Sequence, residues 1–286
     1  MSITEIPVRV VGPGSQPDEE QELSYIDMPG RMEAYSPPYI ADLDAVRRLD
    51  GARATMQWLR QALADYRCGS EPLVANLSSL DEESRELVNQ VLGEGEVCVN
   101  FTGGMTARTQ ESVLAGVWRT LYFDSDDRVA CDLLEVADAP LTARAASEQS
   151  MPIDVTVPDS MPEVHNALPI LVELESHLAG YAKTGNRHSI NLSLLPLSES
   201  EIEFLDKRLG RGPVDVLSRA YGKCQAISTA SPNVWWVRYY NAMGTPILNS
   251  IEVTAIPEIV VAAAEDLSDS AARLGDILAP YWPEES

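Results

Sequence analysis

The sequence predicts an α+β protein made of two copies of one unit, each a small, mostly antiparallel sheet packed with one or two helices, followed by a C-terminal helix. Three observations support this prediction: an internal repeat, apolar residues at helical spacing, and short strand-like runs separated by turn residues. The repeat aligns residues 93–140 with 210–257 without a gap, at a constant offset of 117, and 10 of the 48 aligned positions are identical. We interpret it as an old duplication of fold.

The identical positions are those that build secondary structure. In both copies a Gly-x-Gly pair precedes alternating valines, a Val-Trp pair precedes a tyrosine, and a Glu-Val pair precedes a proline. An Asn-Leu-Ser block upstream also recurs, at an offset of 115. The matching segments are Gly93–Val99 with Gly210–Val216, Val117–Tyr122 with Val234–Tyr239, Glu135–Pro140 with Glu252–Pro257, and Asn76–Ser78 with Asn191–Ser193.

Proline content and the repeat divide the chain into five regions. Residues 1–41 are a Pro-rich N-terminal arm, residues 42–142 are the first α+β repeat, and residues 143–164 are a Pro-rich linker. The second repeat occupies residues 165–257, and residues 258–286 hold a C-terminal helix that we expect to pack on the repeats. That helix carries an apolar stripe with its acidic residues on the other side.

Local signals place the elements inside each repeat. Helical spacing predicts a helix over 42–67, and Asp81 and Gly93 mark the start and the end of a second helix. In the second repeat Ser198 and Glu201 form a predicted capping box, and Gly210 ends that helix. The predicted strands of the two repeats are 73–77, 96–101, 107–113, 117–123 and 129–136, then 214–217, 224–229, 234–240 and 247–253.

The charge balance excludes some classes of partner. With 21 basic and 44 acidic residues, the net charge is −23. That field repels nucleic-acid phosphates and anionic lipids, so we expect neither nucleic-acid binding nor membrane insertion. No signal peptide and no apolar run of about 20 residues is present, which predicts a cytoplasmic location. A basic protein segment is an electrostatically favourable partner.

The residues give little indication of catalysis, a metal or a cofactor. The four cysteines have no zinc-ligand spacing, and the repeat does not copy them, so we expect reduced thiols, no metal and no cofactor. A pair such as His177 and Cys224 could act as base and nucleophile, but no spacing brings the two together. Glu135 and Glu252 match each other, which favours a structural role for both. The sequence therefore predicts no catalytic residues.

A surface is the better functional candidate. Side chains alternate between sheet faces along the strand 234–240, so Trp236, Arg238 and Tyr240 share one face. Trp, Tyr and Arg are enriched at binding hot spots, and we predict that these three residues bind a partner. The alternative is that another part of the protein covers this stripe.

The second repeat resembles the HupH/HyaF family of hydrogenase expression and formation proteins. The N-terminal arm, with Ile6-Pro7-Val8 and Val10–Pro17, is also similar to that family. The similarity covers most of the chain and is densest over about 190–280. The segments that carry it are 210–214, Tyr221-Gly222-Lys223-Cys224, Asn233–Val237, Ile247–Val253 and 263–270.

The resemblance implies a non-enzymatic accessory chaperone for maturation of a [NiFe] uptake hydrogenase. Its partner would be the precursor of the iron–sulfur small subunit before export, with another maturation protein as a second candidate. The alternative is a transient metal or iron–sulfur carrier in hydrogenase assembly, in which Cys224 and another thiol are the ligands. The family brings no catalytic residues with it.

Overall fold

Strands form where β-branched and aromatic residues are frequent, and two of the helices lie between a capping side chain and a glycine. A computed structural model describes residues 46–156, 164–219 and 222–282. The predicted N-terminal arm and residues 157–163 of the predicted linker lie outside these residues. The helices are α1 Asp50–Asp65, α2 Glu82–Leu92, α3 Leu141–Arg144, α4 Ala167–Thr184, α5 Glu199–Leu209 and α6 Ala264–Leu278. The strands are β1 Leu73–Asn76, β2 Val97–Thr102, β3 Thr106–Glu111, β4 Val117–Phe123, β5 Val129–Val136, β6 His188–Asn191, β7 Val214–Ser218, β8 Lys223–Ser228, β9 Val234–Tyr240 and β10 Pro246–Val253.

The predicted helix ends are confirmed for α2 and α5. Asp81 accepts a hydrogen bond of 2.8 Å from the backbone N–H of Ser84, and Gly93 ends α2 with φ +54°. Ser198 and Glu201 make the reciprocal capping box of α5, which ends at Gly210 with φ +61°. A positive φ is costly for residues with a Cβ, which explains the glycine at both ends.

Within the described residues, ten strands form one sheet with the order β1-β5-β4-β3-β2-β7-β8-β9-β10-β6. Every neighbouring pair is antiparallel, and β2 and β7 join at the centre, with Val99 opposite Val216. The α+β class, the mostly antiparallel sheet and the C-terminal helix are therefore as predicted. The sequence did not predict the pairing of β2 with β7.

The two halves of the sheet have the same topology. In each half a four-residue edge strand pairs with the last strand of a four-stranded meander, and the meander strands β2 to β5 match β7 to β10 at the offset of 117. Helices α2 and α5 match at the same offset. Gly116 and Asn233, at equivalent positions before β4 and β9, both have positive φ.

The two faces of the sheet are covered in different ways. On the loop face, which bears Val99, Val216 and Ala226, α3 and the short 3-10 helix Glu258–Val260 contact the central strands. On the opposite side, the helix face, α1 and α2 lie over the outer strands of the first half, and α4 and α5 lie over those of the second half. Buried clusters fill both faces.

The C-terminal helix α6 packs against α1 of the first half. Leu267, Leu274 and Leu278 of α6 are buried in the same cluster as Met56 and Leu59 of α1. Helix α6 therefore belongs to the folded core of the described residues, as the apolar stripe indicated. None of the described helices combines the length and the apolar character that a membrane crossing requires.

Candidate functional site

The predicted binding stripe lies on the helix face of β9. Trp236 is opposite Ile251, Arg238 is opposite Asn249, and Tyr240 is opposite Pro246, so the three side chains share one face as alternation predicted. Trp236 is 4% exposed and Tyr240 is 9% exposed, whereas Arg238 is half-buried. Of the three residues, Arg238 offers the most accessible surface, and partner binding by this stripe remains a prediction.

Helices α4 and α5 bury Trp236. The indole belongs to the same apolar cluster as Ile170 of α4 and Phe204 of α5. Its Nε1 donates a hydrogen bond to the side-chain oxygen of Asn249, and the Arg238 guanidinium lies 5.0 Å from the centre of the Trp236 ring. Arg238 therefore sits at the edge of the helix pair, where the buried cluster ends and the central strands begin.

On the helix face, no helix of residues 46–156, 164–219 and 222–282 lies over the central strands, and we call this surface between the two helix pairs the open face. On this side β2, β3, β7 and β8 carry mixed polar and apolar side chains that are half-buried, while the side chains on their loop face are mostly fully buried. Among the described residues, α1 contacts β1 and β5, and α4 contacts β10. The open face consists of Cys98, Asn100, Arg108, Gln110, Leu217, Gln225, Ile227 and Arg238.

Arginine–aromatic contacts border the open face in both halves. Arg108 of β3 places its guanidinium 5.0 Å from the centre of the Phe123 ring, as Arg238 does over Trp236. Between them, buried Asp215 accepts hydrogen bonds from Arg211 and from Gln225, at 2.8 Å and 3.0 Å. Burial raises the pKa of Asp215, and these hydrogen bonds and the nearby guanidinium charges oppose that rise.

Exposed apolar side chains extend this region beyond Arg238. Met243 in the β9–β10 turn is 90% exposed, and Ile247 at the start of β10 is 62% exposed. The 3-10 helix Leu192–Leu194 packs beside β10, where Asn249 N donates a hydrogen bond of 2.9 Å to Ser193 Oγ, and Leu194 is 80% exposed. The prediction from the sequence covered β9 alone and did not include these neighbours, whose exposure appears only in the structure.

The thiols of Cys98 and Cys224 are poorly suited to nucleophilic or ligand chemistry. Burial raises the pKa of Cys224 to about 12, against a smaller opposing effect of its hydrogen bond with Tyr239. Burial also raises the pKa of Cys98. The thiolate is the reactive and metal-binding form, so a raised pKa disfavours both roles. Cys224 lies on the loop face and His177 packs against His188 on the helix side, so the structure does not bring His177 and Cys224 together.

The matched glutamates occupy different surroundings. Glu135 is fully buried, and its carboxylate accepts hydrogen bonds from Thr120 and from the backbone N–H of Leu141. Glu252 instead lines a pocket of about 270 Å³, and its hydrogen-bond contact within the part of the chain that the structure describes is a long one of 3.4 Å with Ser250 Oγ. Burial, and then the charge of Glu258, raise the pKa of Glu252. The pocket is lined by Arg187, His188, Ser189, Glu252, Val253, Thr254 and Glu258.

The fold and these surroundings define an α+β protein whose most distinctive side chains lie on an open sheet surface. The chain matches the family model "HupH hydrogenase expression protein, C-terminal conserved region" over residues 49–152 and 164–281. It therefore belongs to the HupH/HyaF family of hydrogenase expression/formation proteins, and the resemblance seen in the sequence is confirmed.

Relatives cover nearly the whole chain. It is 41% identical to the hydrogenase expression/formation protein HoxQ of Cupriavidus necator over 281 residues, which covers 96% of each chain. It is also 41% identical to HupQ of Azotobacter chroococcum, covering 93% of this chain and 94% of that protein. A solved structure of the hydrogenase expression protein HupH from Thiobacillus denitrificans is 38% identical and covers 40% of this chain and 96% of its own, with a TM-score of 0.39.

Proposed function

We propose that this protein is a non-enzymatic accessory chaperone in the maturation of a [NiFe] uptake hydrogenase. It binds the immature iron–sulfur small subunit in the cytoplasm before export. Membership of a family of hydrogenase expression/formation proteins is the observation that carries the proposal. The open face supports it, because a broad, shallow, mixed polar and apolar surface suits another polypeptide better than a small substrate.

Arg238 is the proposed centre of the binding surface. It combines a guanidinium that can pair with backbone carbonyls or carboxylates with a position over a buried indole that holds it in place. Met243 and Ile247 add exposed apolar area on one side, and Leu217 and Ile227 add half-buried apolar area on the other. In this arrangement Trp236 and Tyr240 are buried and act mainly by holding Arg238 in position.

The acidic charge of the chain supports the proposal that the bound segment of the partner is basic. With a net charge of −23, the chain attracts positively charged polypeptides and repels other acidic surfaces. A twin-arginine export leader on the small-subunit precursor has the required charge. Attraction of this kind speeds encounter and depends on ionic strength, whereas the contacts on the open face determine how long the complex lasts.

We also propose that the two halves arose by duplication and work as one platform. The common offset of strands and helices and the positive φ at both Gly116 and Asn233 support a shared origin. Under this proposal residues 42–142 and 165–257 are the two units, joined by the Pro-rich linker 143–164. The open face then exists because the two halves of the sheet meet edge to edge through β2 and β7.

Co-purification from hydrogenase-producing cells tests the proposed function. The chain is captured under anaerobic conditions, and the eluate is probed for the small-subunit precursor, the large subunit and other maturation proteins. We expect the precursor, with its leader still attached, to be enriched over a capture from cells that lack its gene. Recovery of only the mature small subunit, or of neither form, would contradict the proposal.

A further inference from the structure

A cluster of metal-ligand side chains lies at the outer edge of the second half, away from the open face. Glu173 and His177 are four residues apart on α4, so they project from the same side of that helix. His188 is the first residue of β6, the edge strand of the sheet. One potential ligand atom from each of the three residues lies within 4.8 Å of the others. Two separate elements thus supply the cluster.

The connection between α4 and β6 brings His188 back to the helix. Helix α4 ends at Gly185, which has φ +68° and donates its N–H to Tyr181 O at 2.8 Å. This left-handed residue reverses the chain within three residues, so that β6 starts beside the preceding helix. His188 Nε2 then lies 2.7 Å from Glu173 Oε1, and the His177 and His188 rings stack with centroids 3.5 Å apart and 6° between their planes.

We propose that Glu173, His177 and His188 bind one divalent transition-metal ion of the Zn²⁺ type. Two imidazole nitrogens and one carboxylate oxygen make a ligand set that suits such ions, in which three protein ligands leave a position for water or for a ligand from another molecule. The ligand atoms of a tetrahedral zinc site are about 3.3 Å apart, which follows from bonds of about 2.0 Å. The ligand atoms now lie within 4.8 Å of one another, so binding brings them closer together and turns the stacked imidazole rings toward a common ion.

The side chains are free to make those movements. Glu173 is 46% exposed and His188 is 25% exposed at the side chain, and His177 is exposed. On binding, the ring stack opens so that both nitrogens point at one ion, and the ion replaces the present His188–Glu173 contact. The net charge of −23 raises the local concentration of cations around the chain. This inference does not depend on the proposed chaperone function.

Excess Mg²⁺ distinguishes the proposed site from the acidic surface of the chain. Mg²⁺ prefers oxygen ligands and occupies acidic surfaces without selectivity, whereas a site with two imidazoles prefers Zn²⁺ or Co²⁺. Titrations in excess Mg²⁺ therefore suppress binding to the acidic surface. Acidification should release the ion, since a bound imidazole must be neutral.

The test is a Co²⁺ and Zn²⁺ titration of the untagged, metal-free full chain in excess Mg²⁺. We expect one equivalent of Co²⁺ to give visible absorption bands, with displacement by Zn²⁺. His177→Ala and His188→Ala should each weaken binding at least about tenfold. His165→Ala is the matched control, because His165 is exposed and lies outside the cluster, and it should bind like the native chain.

X-ray absorption on the Zn²⁺-loaded native chain supplies a second measurement that does not rely on variants. Scattering from imidazole and oxygen ligands is expected. Sulfur ligands would overturn the proposal, as would native-like Co²⁺ binding by the His177→Ala and His188→Ala variants. Failure of the native chain to bind Co²⁺ in excess Mg²⁺ would also overturn it.

Discussion

Thr120 Oγ1 donates a hydrogen bond of 2.6 Å to Glu135 Oε1 in the interior of the first half. The second carboxylate oxygen accepts from Leu141 N at 2.9 Å, where α3 begins. One buried side chain therefore joins β4, β5 and the segment that covers the loop face. Burial raises the pKa of Glu135, and the two hydrogen bonds oppose that rise.

We predict that Glu135→Ala lowers the free energy of unfolding by about 2–3 kcal/mol, because the Leu141 N–H loses its acceptor and Thr120 loses its short hydrogen bond to the carboxylate. Urea denaturation followed by circular dichroism measures the change. Glu252→Ala is the matched control, since Glu252 makes no equivalent short hydrogen bond with any described residue, and it should cost less than about 1 kcal/mol. Equal losses at both positions would show that the two glutamates have the same structural role.

Stability should depend on pH through Glu111. Burial, opposed by backbone hydrogen bonds, raises the pKa of this carboxyl group from 4.5 to about 7. Between these values the folded chain holds a proton that the unfolded chain releases, so the free energy of unfolding falls as pH rises from about 4.5 to 7.

Glu111→Gln should reduce that fall by the part that Glu111 contributes, while Asp215, Glu135 and Glu252, whose pKa values are also raised by burial, keep their contributions. Denaturant titrations at pH 5 and pH 7.5 should differ between native chain and variant by at least about 1 kcal/mol, since one pKa unit corresponds to about 1.4 kcal/mol. Glu94→Gln is the control, because Glu94 is exposed, and it should follow the native pH profile. A native profile in Glu111→Gln would mean that another group titrates in this range.

We predict that Trp236 contributes mainly to stability and Arg238 mainly to partner binding. Trp236→Ala removes a side chain that is 4% exposed and should cost about 3–5 kcal/mol of stability. Arg238→Ala loses a partly exposed cation–π contact, which is worth about 1 kcal/mol or less. Thermal unfolding distinguishes the two variants. A large loss of stability in Arg238→Ala would place this residue in the core and remove it from the proposed surface.

The alignment of the repeats predicted individual strands and helix ends well, because these depend on residues that are close together in the sequence. The strand at 234–240 and the helix ends at Gly93 and Gly210 appear in the structure as predicted, since alternation and capping act over a few residues. Alternation also placed Trp236 and Arg238 on one face. It could not show that α4 and α5 cover Trp236, because that contact joins residues far apart in the sequence.

The candidate sites depend on such distant contacts. The open face exists because β2 pairs with β7, and the β2 and β7 residues Cys98 and Leu217 give no local sign of this pairing. The proximity of His177 and His188 depends on the turn at Gly185. The spacing Glu-x-x-x-His followed by a second histidine after a helix-ending glycine was the available signal. That spacing alone does not show that the turn brings the two rings together.

Client binding should weaken as salt rises. The Debye length falls from about 10 Å at 0.1 M salt to about 3 Å at 1 M, so attraction between the acidic chain and a basic leader is screened. We expect at least about a tenfold loss of affinity for the small-subunit precursor over this range. A precursor whose leader arginines are replaced by glutamine should show a smaller loss. Affinity that does not change with salt would dismiss the electrostatic part of the proposal.

The most direct test of the proposed function is a binding titration between the purified chain and the purified small-subunit precursor. We predict saturable binding that Arg238→Ala and Ile247→Asp each weaken by at least about tenfold, which corresponds to about 1.4 kcal/mol. Val129→Asp is the matched control, because Val129 is 55% exposed at the start of β5 in the first half, and it should bind within about twofold of the native chain. No binding by the native chain, or equal binding by all four proteins, would contradict the account.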